Sequence, residues 1–124
     1  MLPAAHRMRL SRDFTDVVRN GARSGRPSLV VHCSPPDPAG HDGAPPLAGF
    51  IVSRAVGGAV QRNRVKRRLR HIVASHLDRL PPGTRIVVRA LPRAAEASFA
   101  ELAGDLDRAM RRLEPRLTAA RSSR

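Results

Sequence analysis

Residues 59–72 read AVQRNRVKRRLRHI, and six of the nine residues from Arg62 to Arg70 are Arg or Lys. The nearest acidic residues on either side are Asp42 and Asp78, so this charge has no local partner in sequence and repels itself unless solvent or a polyanion screens it. The apolar residues supply the geometry. Val65, Leu69, Ile72, Val73, His76 and Leu80 recur at spacings of three and four, which puts them on one stripe of a helix running to about Leu80. At about 100° per residue, Arg62 and Lys66 flank the stripe on one side and Arg68 on the other, while Asn63, Arg67 and Arg70 project away. Gly57 and Gly58 mark a turn, so the helix is expected to begin near Ala59 with Arg62 and Arg64 in its first turns, where free N–H groups can bind phosphate oxygens. Cations there oppose the helix dipole at a cost of up to about 1 kcal/mol each, which a bound anion would offset. The plainer reading is a solvated arginine-rich surface.

Working outward, 124 residues allow one domain with a single core. A net charge of +13 makes a polyanion the default partner. No long apolar span and no signal-peptide h-region is present, which puts nucleic acid ahead of a membrane. DNA is disfavoured because no second helix is spaced to form a helix-turn-helix with residues 59–80. Cys33 stands alone, so neither a disulfide framework nor a cysteine-ligated metal site is expected, and the location read from this is cytoplasmic. Phe14, Phe50 and Phe99 are the only aromatics, too few for a surface of many stacking platforms.

The remaining segments alternate in type. A short helix is expected over Ser11–Asn20, with Ser11 as N-cap, Gly21 after its end, and Phe14, Val17 and Val18 on one face. Residues 28–33 read as a strand with Leu29, Val31 and Cys33 on one face and Val30 and His32 on the other. Residues 34–47, with five prolines and two glycines, form an exposed connection; His41 and Asp42 there have no second ligand pair, so no metal site is expected. Residues 48–53 and 84–90 are two more strands. The latter puts Arg85, Val87 and Arg89 on one face, which is expected to be partly open. Ser98 and Glu101 make a capping box opening a helix with Phe99, Leu102, Leu106, Met110 and Leu113 as its core stripe, ended by Pro115. The expected class is α+β: a small mixed sheet of three to four strands packed with three helices, in the order αββ(β)αβα. Residues 1–6 are expected to be loose, 7–115 to form the domain, and 116–124, with Arg116, Arg121 and Arg124, to be a basic tail.

Three segments together resemble the protein component of bacterial ribonuclease P: Gly49–Arg70 with its Arg62-Asn63-Arg64 core, Arg9–Gly21, and Ile86–Leu106. The resemblance covers most of residues 7–113. It implies a ribosomal protein S5 domain 2-like fold with a left-handed crossover, against the usual hand. It also implies that the catalyst is an RNA, that this chain is the subunit helping it bind precursor tRNA and remove the 5′ leader, and that Mg²⁺ is held mainly by that RNA. Carried over, Arg62, Asn63, Arg64, Lys66, Arg67 and Arg70 face the catalytic RNA. Phe14, Val18, Val31, His32, Arg54, Arg85 and Arg89 fall to a cleft for the single-stranded leader. The family often has aromatics at the places of Val18 and near His32, and two adjacent basic residues where Arg54 is followed here by Ala55. Such a protein needs no catalytic or metal-ligating side chain of its own. The competing readings are a protein-only nuclease and a general RNA-binding or ribosomal protein.

Overall fold

In the computed structural model, which describes residues 2, 4–34 and 45–122, the chain runs α1 (Ser11–Asn20), β1 (Ala22–Gly25), β2 (Leu29–Ser34), β3 (Leu47–Ile51), α2 (Ala59–Ala74), β4 (Arg85–Ala90) and α3 (Phe99–Ser122). The four strands lie in the order β1-β2-β4-β3. β1 and β2 pair antiparallel, as do β2 and β4, whereas β3 and β4 are parallel and joined through α2. The αβββαβα order thus resolves the expected three to four strands at four. The added strand, Ala-Arg-Ser-Gly, has no β-branched residue and no apolar alternation; its pairing with β2, Ala22 opposite Cys33 and Arg23 opposite His32, makes it a strand. Gly21 permits the tight entry, because a Cβ there would lie 2.2 Å from the Cys33 carbonyl oxygen.

Alternation along the strands divides the molecule into two layers. Leu29, Val31, Cys33, Ala48, Ile86, Val88 and Ala90 are buried on the face covered by α2 and α3, where they meet Val65, Leu69 and Val73 of α2 and Leu102, Leu106, Met110 and Leu113 of α3. The opposite face carries a smaller cluster of Met8, Val17 and Val87, joined by Phe14, Val18, Leu47 and Ile51, under α1. Burial pushes the Cys33 thiol up to about 11, so it behaves as a small apolar core group. Among the described residues no helix is long and apolar enough to cross a membrane.

Helix ends depart from the sequence expectation in three places. α1 begins at Ser11, but its N-cap is Leu10 without a side-chain bond, so Ser11 is the first helical residue. α2 stops at Ala74 instead of Leu80: the Ser75 hydroxyl donates to the Ile72 carbonyl at 2.8 Å, and the chain tightens into a 3-10 turn at Leu77–Arg79 that still buries His76, Leu77 and Leu80. α3 opens with the expected capping box, the Glu101 N–H donating to Ser98 Oγ at 3.1 Å and the Ser98 N–H to Glu101 Oε1 at 3.2 Å. It then continues through Pro115 because Leu117 extends the buried stripe, and Arg116 is therefore helical and not part of a tail. Phe99, expected in the core, is 43% exposed, with its ring 5.7 Å from the His71 ring between centroids. Within residues 1–6, Leu2 is buried and a His6 ring nitrogen lies 2.8 Å from the Pro46 carbonyl oxygen. Most of the Pro/Gly-rich connection, with His41 and Asp42, and the terminal Arg124 lie outside the described residues.

Candidate nucleic-acid interface

Gly57, at φ +152°, and Gly58 turn the chain into α2. A Cβ on Gly57 would lie 1.9 Å from Gln61 Oε1, the atom that accepts the Gly58 N–H at 3.3 Å. Glycine has no side chain to return that bond, so only half a capping box forms, and no acidic residue stands in the first turn. The helix is held by Val65, Leu69, Ile72 and Val73. Asn63, Arg64 and Arg67 are exposed, while Arg62, Lys66, Arg68 and Arg70 are half-buried at its flanks. Arg68 is partly committed to the scaffold, donating to the Ala97 carbonyl at 3.3 Å.

The row spaced by four on the other flank ends in a cleft. Lys66 and Arg70 line it together with Arg7, Arg9, Phe14, Gly49 and Phe50, around a volume of ≈ 400 Å³. The N-terminal segment reaches this place by adding to the outer edge of β3: the Met8 N–H donates to the Ala48 carbonyl at 2.9 Å and Arg7 bridges to Ala48 in parallel. Gly49 makes room for the ring, since a Cβ there would stand 2.4 Å from Phe14 Cε1. Arg70, expected to project away from the stripe, instead flanks it here. Its spacing of four from Lys66 and eight from Arg62 places all three on one row.

Of the residues expected to form a leader cleft, Phe14 alone lines it. Val31 is wholly buried on the opposite sheet face, because neighbouring strand residues point to opposite sides and His32 takes the α1 side. His32 is itself only 2% exposed, with both ring nitrogens unpartnered. Desolvation, and then the Arg89 and Arg23 charges, hold its pKa below the ordinary 6.5, so it is a neutral buried ring. Val18 packs into the cluster beneath α1. Arg85 donates to Asp16 at 2.5 Å and to Asp13 at 3.3 Å, clamping β4 to α1, and its charge is thereby already matched. The Asn20 amide and then Arg85 hold the Asp16 carboxyl below its usual range. Arg89 is half-buried with its Nε lacking a hydrogen-bond partner, and Arg54 is exposed in the turn after β3, outside the cleft lining.

Sequence reasoning assigned no role to Arg7, Arg9, Gly49 or Phe50. No periodicity marks them; they meet the cleft only because residues 7–8 run along β3. What results is a shallow groove with four cations and no carboxylate among its described lining residues, and with two phenylalanine rings, Phe14 and Phe50, at its wall. Such a surface binds phosphates by charge and can accept a base by stacking. It has no donor set for a divalent cation, and among the described residues no group of three metal-ligating side chains occurs.

The sequence profile of the family described as Ribonuclease P matches residues 2–114. The chain is similar to the ribonuclease P protein component of Streptomyces bikiniensis, at 55% identity covering 91% of this chain and 95% of that protein. It is also similar to that of a Nocardioides species, at 51% identity covering 95% and 99%. Among solved structures, the fold is similar to the RNase P protein of Thermotoga maritima, with a TM-score of 0.66 at 27% identity over 81% of this chain and 90% of that one. The RNase P protein of Staphylococcus aureus shares the fold with a TM-score of 0.73 at 22% identity over 86% and 93%.

Proposed function

From the premise that this chain belongs to the ribonuclease P protein family, the protein subunits of a ribonucleoprotein that processes tRNA 5′ ends, we propose a division of labour between its two basic surfaces. The exposed arc of α2, Asn63, Arg64 and Arg67 with Arg62 beside it, docks on the catalytic RNA subunit. The cleft of Arg7, Arg9, Phe14, Lys66 and Arg70 takes the single-stranded 5′ leader of precursor tRNA. The observation that carries this is the meeting of two phenylalanine rings, Phe14 and Phe50, and four cations in a groove that opens beside α2. Cations neutralise phosphates without regard to sequence, and a phenylalanine ring stacks any base, which suits a leader whose sequence varies between tRNAs. The RNA supplies the chemistry. Mg²⁺ belongs to its phosphates, because the cleft's cations would repel the ion. The compartment in this reading is the cytoplasm.

The test is cleavage of precursor tRNA by the catalytic RNA with and without the protein. Phe14→Ala is expected to keep affinity for the RNA subunit and to lose about 1–3 kcal/mol of affinity for substrates that carry a leader. Equal loss for leaderless tRNA would make Phe14 a packing residue, and cleavage by the protein alone would overturn the reading.

A further inference from the structure

At the edge of the sheet away from β3, β1 and α3 enclose a second groove of ≈ 660 Å³. Arg23 and Arg26 line it from the β1 side, and Arg108, Arg111 and Arg112 from one turn of α3. Two carboxylates stand against these five guanidinium groups. Asp105 lies 3.8 Å from Arg26 and 3.7 Å from Arg108, but it already accepts the Ser28 N–H and hydroxyl, at 3.1 and 2.6 Å; Asp107 pairs with Arg111 at 3.0 Å. Arg23 and Arg112 have no carboxylate partner among the described residues, and the groove keeps an excess of three positive charges. Its floor is open at Gly25, where an added Cβ would meet nothing within 4 Å, and β1 has a strand partner on one side only. Charge held this closely repels itself unless solvent screens it or a polyanion lies against it, and a polyanion would match it directly.

We propose that the β1/α3 groove is a second phosphate-binding surface, which takes the sugar–phosphate backbone of a double-helical segment of the RNA subunit that α2 binds. The proposal rests on the reading of α2 as an RNA dock. The groove has no aromatic ring among its lining residues, so it offers nothing for unpaired bases to stack on and suits a duplex met through its phosphates. β1 and β3 are the two outer strands of the sheet, three strand spacings or roughly 14 Å apart. The groove therefore stands apart from the cleft beside β3.

The test uses the full chain and the RNA subunit, first without and then with precursor tRNA, reading affinity across a salt series and the hydroxyl-radical footprint. In the double variant Arg23→Gln/Arg112→Gln, the slope of log affinity against log salt is expected to flatten by about 0.9 per lost contact, about 1.8 in all. Protection should vanish from a duplex segment that Arg67→Gln leaves protected. Arg23→Lys/Arg112→Lys should retain both, and unchanged thermal melting shows that the fold is intact. An unchanged slope and footprint would overturn the proposal. So would an effect confined to complexes containing precursor tRNA, which would give the groove to the substrate. If Arg67→Gln itself changes nothing, the reading of α2 fails, while the groove is still judged by its own slope.

Discussion

A methyl group added at Gly49 would stand 2.4 Å from Phe14 Cε1 and 3.2 Å from Met8 Cβ, so the position of the cleft's ring depends on a residue with no side chain. Gly49→Ala is expected to push the ring aside and to reproduce the Phe14→Ala behaviour: lost preference for leader-bearing precursor tRNA, with binding to the RNA subunit kept. Comparing dissociation constants for substrates with and without a leader checks this, and an unchanged ratio would show that the ring can move without consequence. Nothing in the sequence marks Gly49, since glycine in a strand is ordinarily a weak point and its purpose appears only where another backbone or ring approaches. Phe14 was legible, because helical spacing placed it with Val17 and Val18. Arg85 was not legible as an ion-paired residue. Its partners Asp13 and Asp16 are 72 and 69 residues away in sequence, and no local pattern reveals a pair of that kind.

α2 was legible almost whole, from the glycine turn to the buried stripe, because both its periodicity and its charge are local properties. Arg67, exposed and without an ion pair among the described residues, is the residue to test. Arg67→Gln is expected to flatten the salt dependence of RNA binding by about 0.7–0.9, as measured by filter binding across a salt series. α3 was read too short at Pro115. A proline inside a helix costs about 3 kcal/mol, and burying Leu117 returns roughly 1.5–3 kcal/mol of it. The proline also lies on the exposed side, where the Arg111 carbonyl left without its donor can meet water. Leu117→Ala is therefore expected to destabilise the fold by about 2–5 kcal/mol, read as a lower urea midpoint; a loss below about 0.5 kcal/mol, the usual size for a surface change, would mean that the helix ends before it.

For the whole molecule, charge and pH act together. His32 and His76 are both buried, and desolvation first, then neighbouring arginines, lower their pKa values from 6.5. Above pH 6.5 the folded and unfolded states are alike in carrying neutral rings. As pH falls below 6.5 the unfolded chain takes up protons that the folded chain refuses, so stability declines until the folded pKa values are reached. The urea midpoint is accordingly expected to fall between pH 7.5 and 5.5, and His32→Leu to remove part of that decline; a flat profile in the parent protein would contradict it.

The sequence by itself determined the α+β order, the docking stripe of α2, the polyanionic partner and the family, because periodicity, net charge and contiguous motifs are properties of neighbours along the chain. The folded structure was needed to show that Ala22–Gly25 is a strand, that neither Val31 nor His32 lines the cleft, that Arg85 is a clamp, and that Arg7 and Arg9 share a groove with Lys66 and Arg70. Each of these depends on pairing or packing between segments distant in sequence, where the energy comes from the partner and no single stretch carries its sign.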